Sequence, residues 1–335
     1  MNNNKQYTVA IVGATGVVGK ELIQTLEQRD FPVEKLVLLA SSRSAGTTTF
    51  FKGESIPIKE LKETSFKGVD IALFSAGGSI SKQYAPHAVD AGAVVIDNTS
   101  HFRLDEGVPL VVPEVNAHAI TRHQGIIANP NCSTAQLVVP LKPLHDKGKL
   151  KRLVISTYQA VSGAGKDAIL ELENQSRLGL CGGELKPEVF SYPIAFNVIP
   201  QIDVFQENGY TKEEMKMVLE TQKILEADIA ITATTVRVPV FIGHSESVNV
   251  ETDVPISVND ARALIDGFPG VQVLDDPSKS VYPTPRELAG TDDVYVGRIR
   301  KDISNPNAIE LWVVADNLRK GAALNAIQIA ESLIK

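Results

Sequence analysis

Short, mainly apolar runs rich in β-branched residues recur as far as Cys132: Tyr7 to Val12, Lys35 to Ala40, Val69 to Phe74, Ala93 to Ile96, Val108 to Val112 and Gly125 to Ala128. Runs without alternation predict strands buried on both faces, as in a parallel sheet covered by helices. Behind the first run, Val18, Leu22 and Leu26 fall at helical spacing. A helix is predicted after Cys132, broken or bent near Pro140 and Pro143. Beyond it the pattern changes. Lys151 to Ala160 and the stretch Ile229 to Asp253 are longer and alternate, which predicts strands with one face less covered. Helical stripes follow at Asp167 to Arg177 and at Lys212 to Ala227, the latter with Met215, Val218, Leu219 and Leu225 on its apolar side. Residues 276–293, with Pro277, Pro283 and Pro285, read as an irregular excursion. Leu311 to Ala315 is a last strand, and Ala322, Ile327, Ala330 and Leu333 mark a terminal helix.

These elements predict an α/β chain of two domains. The first, residues 1–131, is a Rossmann-like doubly wound nucleotide-binding domain completed by a C-terminal helix over 318–335. The second, 132–317, is an α+β domain with a mainly antiparallel sheet. The 335 residues, 43% hydrophobic and 22% charged, suffice for two cores. A formal net charge of −7 gives no basic surface for nucleic acid or an anionic membrane. The start Met1-Asn2-Asn3-Asn4-Lys5 has no signal-peptide character, no apolar run is long enough to span a bilayer, and two cysteines make no disulfide framework. A soluble, cytoplasmic protein is expected. No metal-ligand spacing is present.

The candidate chemistry sits where these elements meet. Gly13-Ala14-Thr15-Gly16-Val17-Val18-Gly19 lies between strand and helix, a GxxGxxG variant of the dinucleotide fingerprint. Gly13 and Gly16 let a pyrophosphate approach the helix N-terminus, and Gly19 lets the helix pack on the strand. The second strand ends in Ser41-Ser42-Arg43-Ser44, hydroxyls and a guanidinium where an NAD-preferring fold offers an acid; these suit a 2′-phosphate and favour NADP. Ser75, Ala76 and Gly77 end another strand in small residues that would let a cofactor lie across it. Arg103, in a polar loop at the same sheet end, is a candidate anion contact or a surface charge.

In Asn129-Pro130-Asn131-Cys132-Ser133-Thr134 a cysteine stands at a helix start, where unpaired N–H groups and the helix dipole favour thiolate over a free thiol of pKa about 8.5. A nucleophile and a small buried hydrophobe are both open readings. Arg237, embedded among β-branched residues, needs a partner, and His244 follows a glycine as a candidate general base. Gln159 precedes a second glycine turn, Ser162-Gly163-Ala164-Gly165, that completes a cofactor site or only starts a helix. Glu220 and Lys223, three apart, share a helix face as a binding pair or a solvated one. Cys181, in a Cys-Gly-Gly loop without a helix start or base, reads as structural.

The glycine turn, the Asn129 to Thr134 segment, Gln159, and Arg237 followed seven residues later by His244 together resemble the aspartate-β-semialdehyde dehydrogenases in order and spacing. The resemblance covers essentially the whole chain. It implies NADPH-dependent reduction of L-aspartyl 4-phosphate to L-aspartate 4-semialdehyde with release of phosphate, in the biosynthesis of lysine and diaminopimelate, threonine, methionine and isoleucine. Cys132 would form the acyl thioester, His244 would move protons near its unperturbed pKa of about 6.5, and Gln159 would position. Arg103, Asn131, Glu220, Lys223 and Arg237 would contact substrate. Thr15, Gly16, Val17, Val18, Ser41, Ser42, Arg43, Ser44, Ser162, Gly163, Ala164, Gly165 and Asn317 would contact NADP. A homodimer or dimer of dimers is expected, with the cleft between the domains. Thr235 departs from the family, many members of which carry a second cysteine there. The N-acetyl-γ-glutamyl-phosphate reductases are the nearest alternative, although their acylated substrate has no ammonium for Glu220; a non-catalytic NADP-sensing protein is another.

Overall fold

The computed structural model describes residues 5–335, so most of the polar start lies outside the described residues. The chain forms two compact units, one running up to Asn131 and including Ala322–Lys335, the other Cys132–Gly321.

The first unit is built on strands β1 (Tyr7–Val12), β2 (Val33–Ala40), β3 (Thr48–Phe51), β4 (Glu54–Glu60), β5 (Ile71–Phe74), β6 (Val94–Asp97) and β7 (Ile126–Ala128). Their order is β3-β4-β2-β1-β5-β6-β7, parallel throughout except for the β3-β4 pair. Alternate residues of β1 enter different cores. Val9 and Ile11 pack with Leu22 and Leu26 of helix α1 (Val17–Gln28) and with Ile327 and Ala330 of the C-terminal helix. Ala10 and Val12 pack with Ala85 and Ala88 of α2 (Gly78–Asp90). Coverage on both faces is why Val9 to Val12 of β1 are apolar without alternation.

The hairpin β3-β4 and helix α2 have no counterpart in the sequence reading. Val108 to Val112 is not a strand: only Leu110 bridges to Ala128, before the short helix α3 (Pro113–Asn116). Pro109 and Pro113 supply no N–H, so a ladder cannot extend there.

In the second unit, α4 (Cys132–Gly148) is one uninterrupted helix through Pro140 and Pro143, against the expected break. Every residue from Ser133 to Leu141 is buried, and this packing offsets the roughly 3 kcal/mol that an interior proline costs. The chain continues through β8 (Leu150–Gln159), α5 (Lys166–Leu180), α6 (Lys212–Leu225), β9 (Ala230–Arg237), β10 (His244–Thr252), α7 (Val258–Asp266), β11 (Val271–Val273), α8 (Pro285–Leu288), β12 (Val294–Lys301) and β13 (Ala308–Ala315). The sheet order is β11-β12-β13-β10-β8-β9. The three inner pairs are antiparallel, while β8-β9 and β11-β12 are parallel. One π-helical turn, Arg319–Ala323, leads into the C-terminal helix α9 (Leu324–Ile334).

Candidate active site

Cys132 is the first residue of α4 and His244 the first of β10, and Cys132 Sγ lies 3.2 Å from His244 Nε2. The Ala160 N–H donates to the other ring nitrogen, Nδ1, at 3.0 Å. With Nδ1 accepting, the neutral ring carries its proton on Nε2, directed at the sulfur. Burial of the ring holds His244 well below its ordinary pKa, the charge of Arg237 adds to this, and the Gly243 backbone opposes it without prevailing. The expectation of titration near pH 6.5 is therefore corrected: no water reaches the ring to solvate a positive charge. A neutral N–H donor beside sulfur stabilises thiolate, the form that attacks.

Strand register explains how distant residues meet here. Gln159 pairs with Arg237 across β8-β9, and Ser245 pairs with Tyr158 across β10-β8, so His244 stands one step on, beside Gln159. Register neighbours share a face. Arg237 Nη1 donates to Ala160 O at 2.6 Å, and its guanidinium lies 5.8 Å from the Phe190 ring centre. Burial lowers the Arg237 pKa, opposed by Glu213 and by Cys132. Gln159 Nε2 donates to Thr157 Oγ1 at 3.3 Å and to Glu213 Oε1 at 3.2 Å. Glu213 also pairs with Lys216. A cavity of about 240 Å³ opens beside Arg237, lined by Phe190, Ser191, Gln201 and Asp203 among others.

The second glycine turn reaches this group: a Cβ on Gly163 would sit 3.1 Å from Arg237 Nη1 and 3.3 Å from His244 Nε2. Ser162 Oγ donates to Asn317 Oδ1 at 3.1 Å, and that oxygen also accepts the Gly243 N–H at 2.8 Å, bracing the residue before His244. Ala164 and Gly165 complete the turn, Ala164 exposed. Gly321 of the π-helical turn closes over the nucleophile, where a Cβ would lie 2.7 Å from Cys132 Cβ. Gly321→Ala should consequently lower kcat about tenfold or more by displacing Cys132 while NADP affinity is kept; steady-state kinetics with a cofactor titration checks this. On α6, Glu220 is buried and Lys223 half-buried, so Glu220 is no solvated surface charge.

Within the first unit, β1 and β5 are adjacent parallel strands, so their following loops share one sheet edge. Gly13 has φ +91°, and a Cβ there would lie 3.0 Å from Ala76 N. A Cβ on Gly19 would lie 2.1 Å from Gly13 O, so no larger residue fits where α1 crosses the turn. Gly16 caps α1 without any side-chain hydrogen bond, ahead of half-buried Val17 and Val18 and after half-buried Thr15. Ser75 Oγ donates to Val12 O at 3.1 Å, and Gly77 caps α2. Ser41, Ser42 and Arg43 are exposed beyond β2, with the Ser44 N–H donating to Ser41 O. Arg103 and Asn131 are buried, Arg103 donating to Asn129 O at 2.9 Å and Asn98 O at 2.8 Å.

Comparison with known proteins gives the family. The sequence profile described as semialdehyde dehydrogenase, NAD binding domain matches residues 8–123, and that of the semialdehyde dehydrogenase dimerisation domain matches residues 141–320. The aspartate-semialdehyde dehydrogenase of Aquifex aeolicus is 56% identical over 334 residues, 98% of each chain. The chain belongs to the aspartate-semialdehyde dehydrogenase family. Among solved members, aspartate semialdehyde dehydrogenase II of Vibrio cholerae complexed with ASA superposes with TM-score 0.96 at 51% identity, covering 98% of both chains. The Candida albicans aspartate semialdehyde dehydrogenase with NADP gives TM-score 0.77 at 28% identity, covering 98% of this chain and 99% of that one.

For this family member the sequence reading missed the Ala160 N–H, Glu213 and Gly321. Glu213 carried a signal: Thr211 and Glu214 form a capping box at the start of α6, with Glu214 N donating to Thr211 Oγ1 at 3.2 Å, which fixes the helix start. The other two depend on approach between distant segments and have no local signature.

Proposed function

We propose that this chain reduces L-aspartyl 4-phosphate to L-aspartate 4-semialdehyde, reversibly and with NADPH, in the biosynthesis of lysine, threonine, methionine and isoleucine. The observation that carries the reading is the Cys132–His244 contact of 3.2 Å at the start of α4. The Cys132 thiolate attacks the acyl phosphate; the carbonyl becomes an oxyanion, helped by N–H groups at the helix start, and collapse expels phosphate to leave a thioester on sulfur. NADPH, when bound, would supply the hydride for this thioester; the carbonyl again becomes an oxyanion, and its collapse breaks the C–S bond, releasing the semialdehyde and restoring the Cys132 thiolate. His244 Nε2–H donates to the sulfur in the resting enzyme and to the charge that develops beside it in the tetrahedral states. Gln159 positions through Thr157 and Glu213.

Arg237 suits the α-carboxylate by its bidentate fork, Glu220 the ammonium, and Arg103 with Lys223 the phosphate, with Asn131 beside the nucleophile in sequence. The first unit fits the cofactor: the space beside Gly77 is open, Gly13 lets the turn lie against the Ala76 backbone, the N-terminus of α1 has no side-chain cap, and Arg43 is exposed to meet a 2′-phosphate. On the same reading Ser162 and Asn317 also contact NADP. Cys132 and Cys181, neither of them in a disulfide, suit a reducing cytoplasm. No helix of the described residues is long and apolar enough to cross a membrane. The dimerisation profile over 141–320 supports a homodimer.

The deciding assay is phosphate-dependent reduction of NADP⁺ by L-aspartate semialdehyde, followed at 340 nm. Turnover that requires phosphate is expected, and activity only on the N-acetylated glutamyl analogue would overturn the reading. Arg43→Ala should weaken NADP about tenfold to a hundredfold and leave NAD unchanged.

A further inference from the structure

Behind the Cys132–His244 pair lies a second pair that the reaction does not use. Gln136 stands four residues after Cys132 on α4, and Glu246 two residues after His244 on β10. Four helical residues rise about 6 Å and two strand residues about 6.8 Å, so the second tier repeats the first at matching spacing. Helix α4 packs on β10, and the Gln136 Nε2 donates to His244 O at 3.4 Å. Both side chains are fully buried. Both Glu246 carboxylate oxygens, and Gln136 Oε1, lack a hydrogen-bond partner.

Among the described residues none gives Glu246 a counter-charge. Its register neighbours are Thr157 of β8 and Val313 of β13, and α4 presents the Gln136 amide; none of these is titratable. Thr157 Oγ1 already accepts from Gln159. Burial pushes the Glu246 carboxyl well above the usual range, opposed only by its Gln136 interaction. An ionised carboxylate here would keep both oxygens without a donor in a dry site, with Gln136 Oε1 unpaired as well. A proton on Glu246 removes the conflict, since the acid O–H can donate to Gln136 Oε1.

We propose that Glu246 is a neutral carboxylic acid donating its O–H to Gln136 Oε1, and that this acid–amide pair is a positioning element. It sets the height of α4 on β10 and so keeps Cys132 Sγ on His244 Nε2. Glu246 touches neither substrate nor sulfur; it acts through Gln136 and the His244 backbone. The inference rests on Cys132 and His244 being the reacting pair.

The test uses the full chain with three substitutions. Two readouts are taken: kcat and KM, and the pH dependence of Cys132 alkylation by iodoacetamide, which needs no turnover. Glu246→Leu and Gln136→Leu should each lower kcat about tenfold to a hundredfold with KM for NADPH unchanged, as for a reacting group displaced by a fraction of an ångström. Each should move the alkylation profile to higher pH. The double substitution should cost little more than either alone, as expected of two residues acting as one unit. Glu246→Gln, whose amide N–H replaces the acid O–H, should restore both readouts. If the leucine variants lower only Tm, the pair is purely structural and the proposal fails. Loss of activity in Glu246→Gln equal to that in Glu246→Leu also overturns it, because the carboxyl would then act by ionising. Should the leucine variants not fold, Glu246→Gln decides alone, a wild-type alkylation profile supporting the neutral acid and a displaced one refuting it. A wild-type chain inert towards aspartate semialdehyde would refute the proposed function and leave the alkylation comparison readable.

Discussion

Cys132→Ala is expected to abolish turnover and to leave NADP binding intact. The sulfur forms the bond that carries the acyl group, and no other side chain described around it replaces a nucleophile. The only other cysteine, Cys181, is exposed at the end of α5. Wild-type enzyme given aspartyl phosphate without reduced cofactor should accumulate the thioester, since the hydride that would consume it is withheld. Mass spectrometry of the peptide containing Asn129 to Thr134 should show the added aspartyl mass. An adduct on Cys181, or turnover surviving in Cys132→Ala, would sink the mechanism. Fluorescence titration of the variant with NADPH provides the control for folding.

His244→Ala is expected to lower kcat by about 10²- to 10⁴-fold, the range for a positioned proton-bearing group. Its pH signature follows from burial. A second proton on the ring would have to enter at Nδ1, which the Ala160 N–H occupies as donor, and Arg237 adds repulsion. The acid limb of wild-type kcat/KM should therefore lie below pH 6.5, and should vanish in the variant. A limb centred at 6.5 would show that the ring titrates as if solvated. Stability carries the same sign. The folded pKa is depressed, so the unfolded chain binds the proton first, and the native state loses stability as pH falls from about 6.5 towards the folded value, at about 1.4 kcal/mol per pH unit. Above pH 6.5 that contribution is fully present. Urea unfolding at pH 7.5 and pH 5.5 should show a steeper acid loss in wild type than in His244→Ala.

What the sequence determined by itself is local. The turn from Gly13 to Gly19, the strands β1, β2, β5, β6 and β7 with helices α1 and α9, and a cysteine at a helix start are written in periodicity and turn chemistry, which act over a few residues. Glycine at 13 and 19 was legible because strand, turn and helix adjoin in the chain. Tertiary structure alone decided the rest, for a common reason: register, burial and approach between distant segments are not encoded at any single site. Strand pairing sets Arg237, Gln159 and His244 in one row. Packing carries α4 through two prolines, and Pro109 with Pro113 reduces Val108 to Val112 to one bridge. Burial lowers His244, and the same burial raises Glu246, because a dry interior disfavours whichever form is charged.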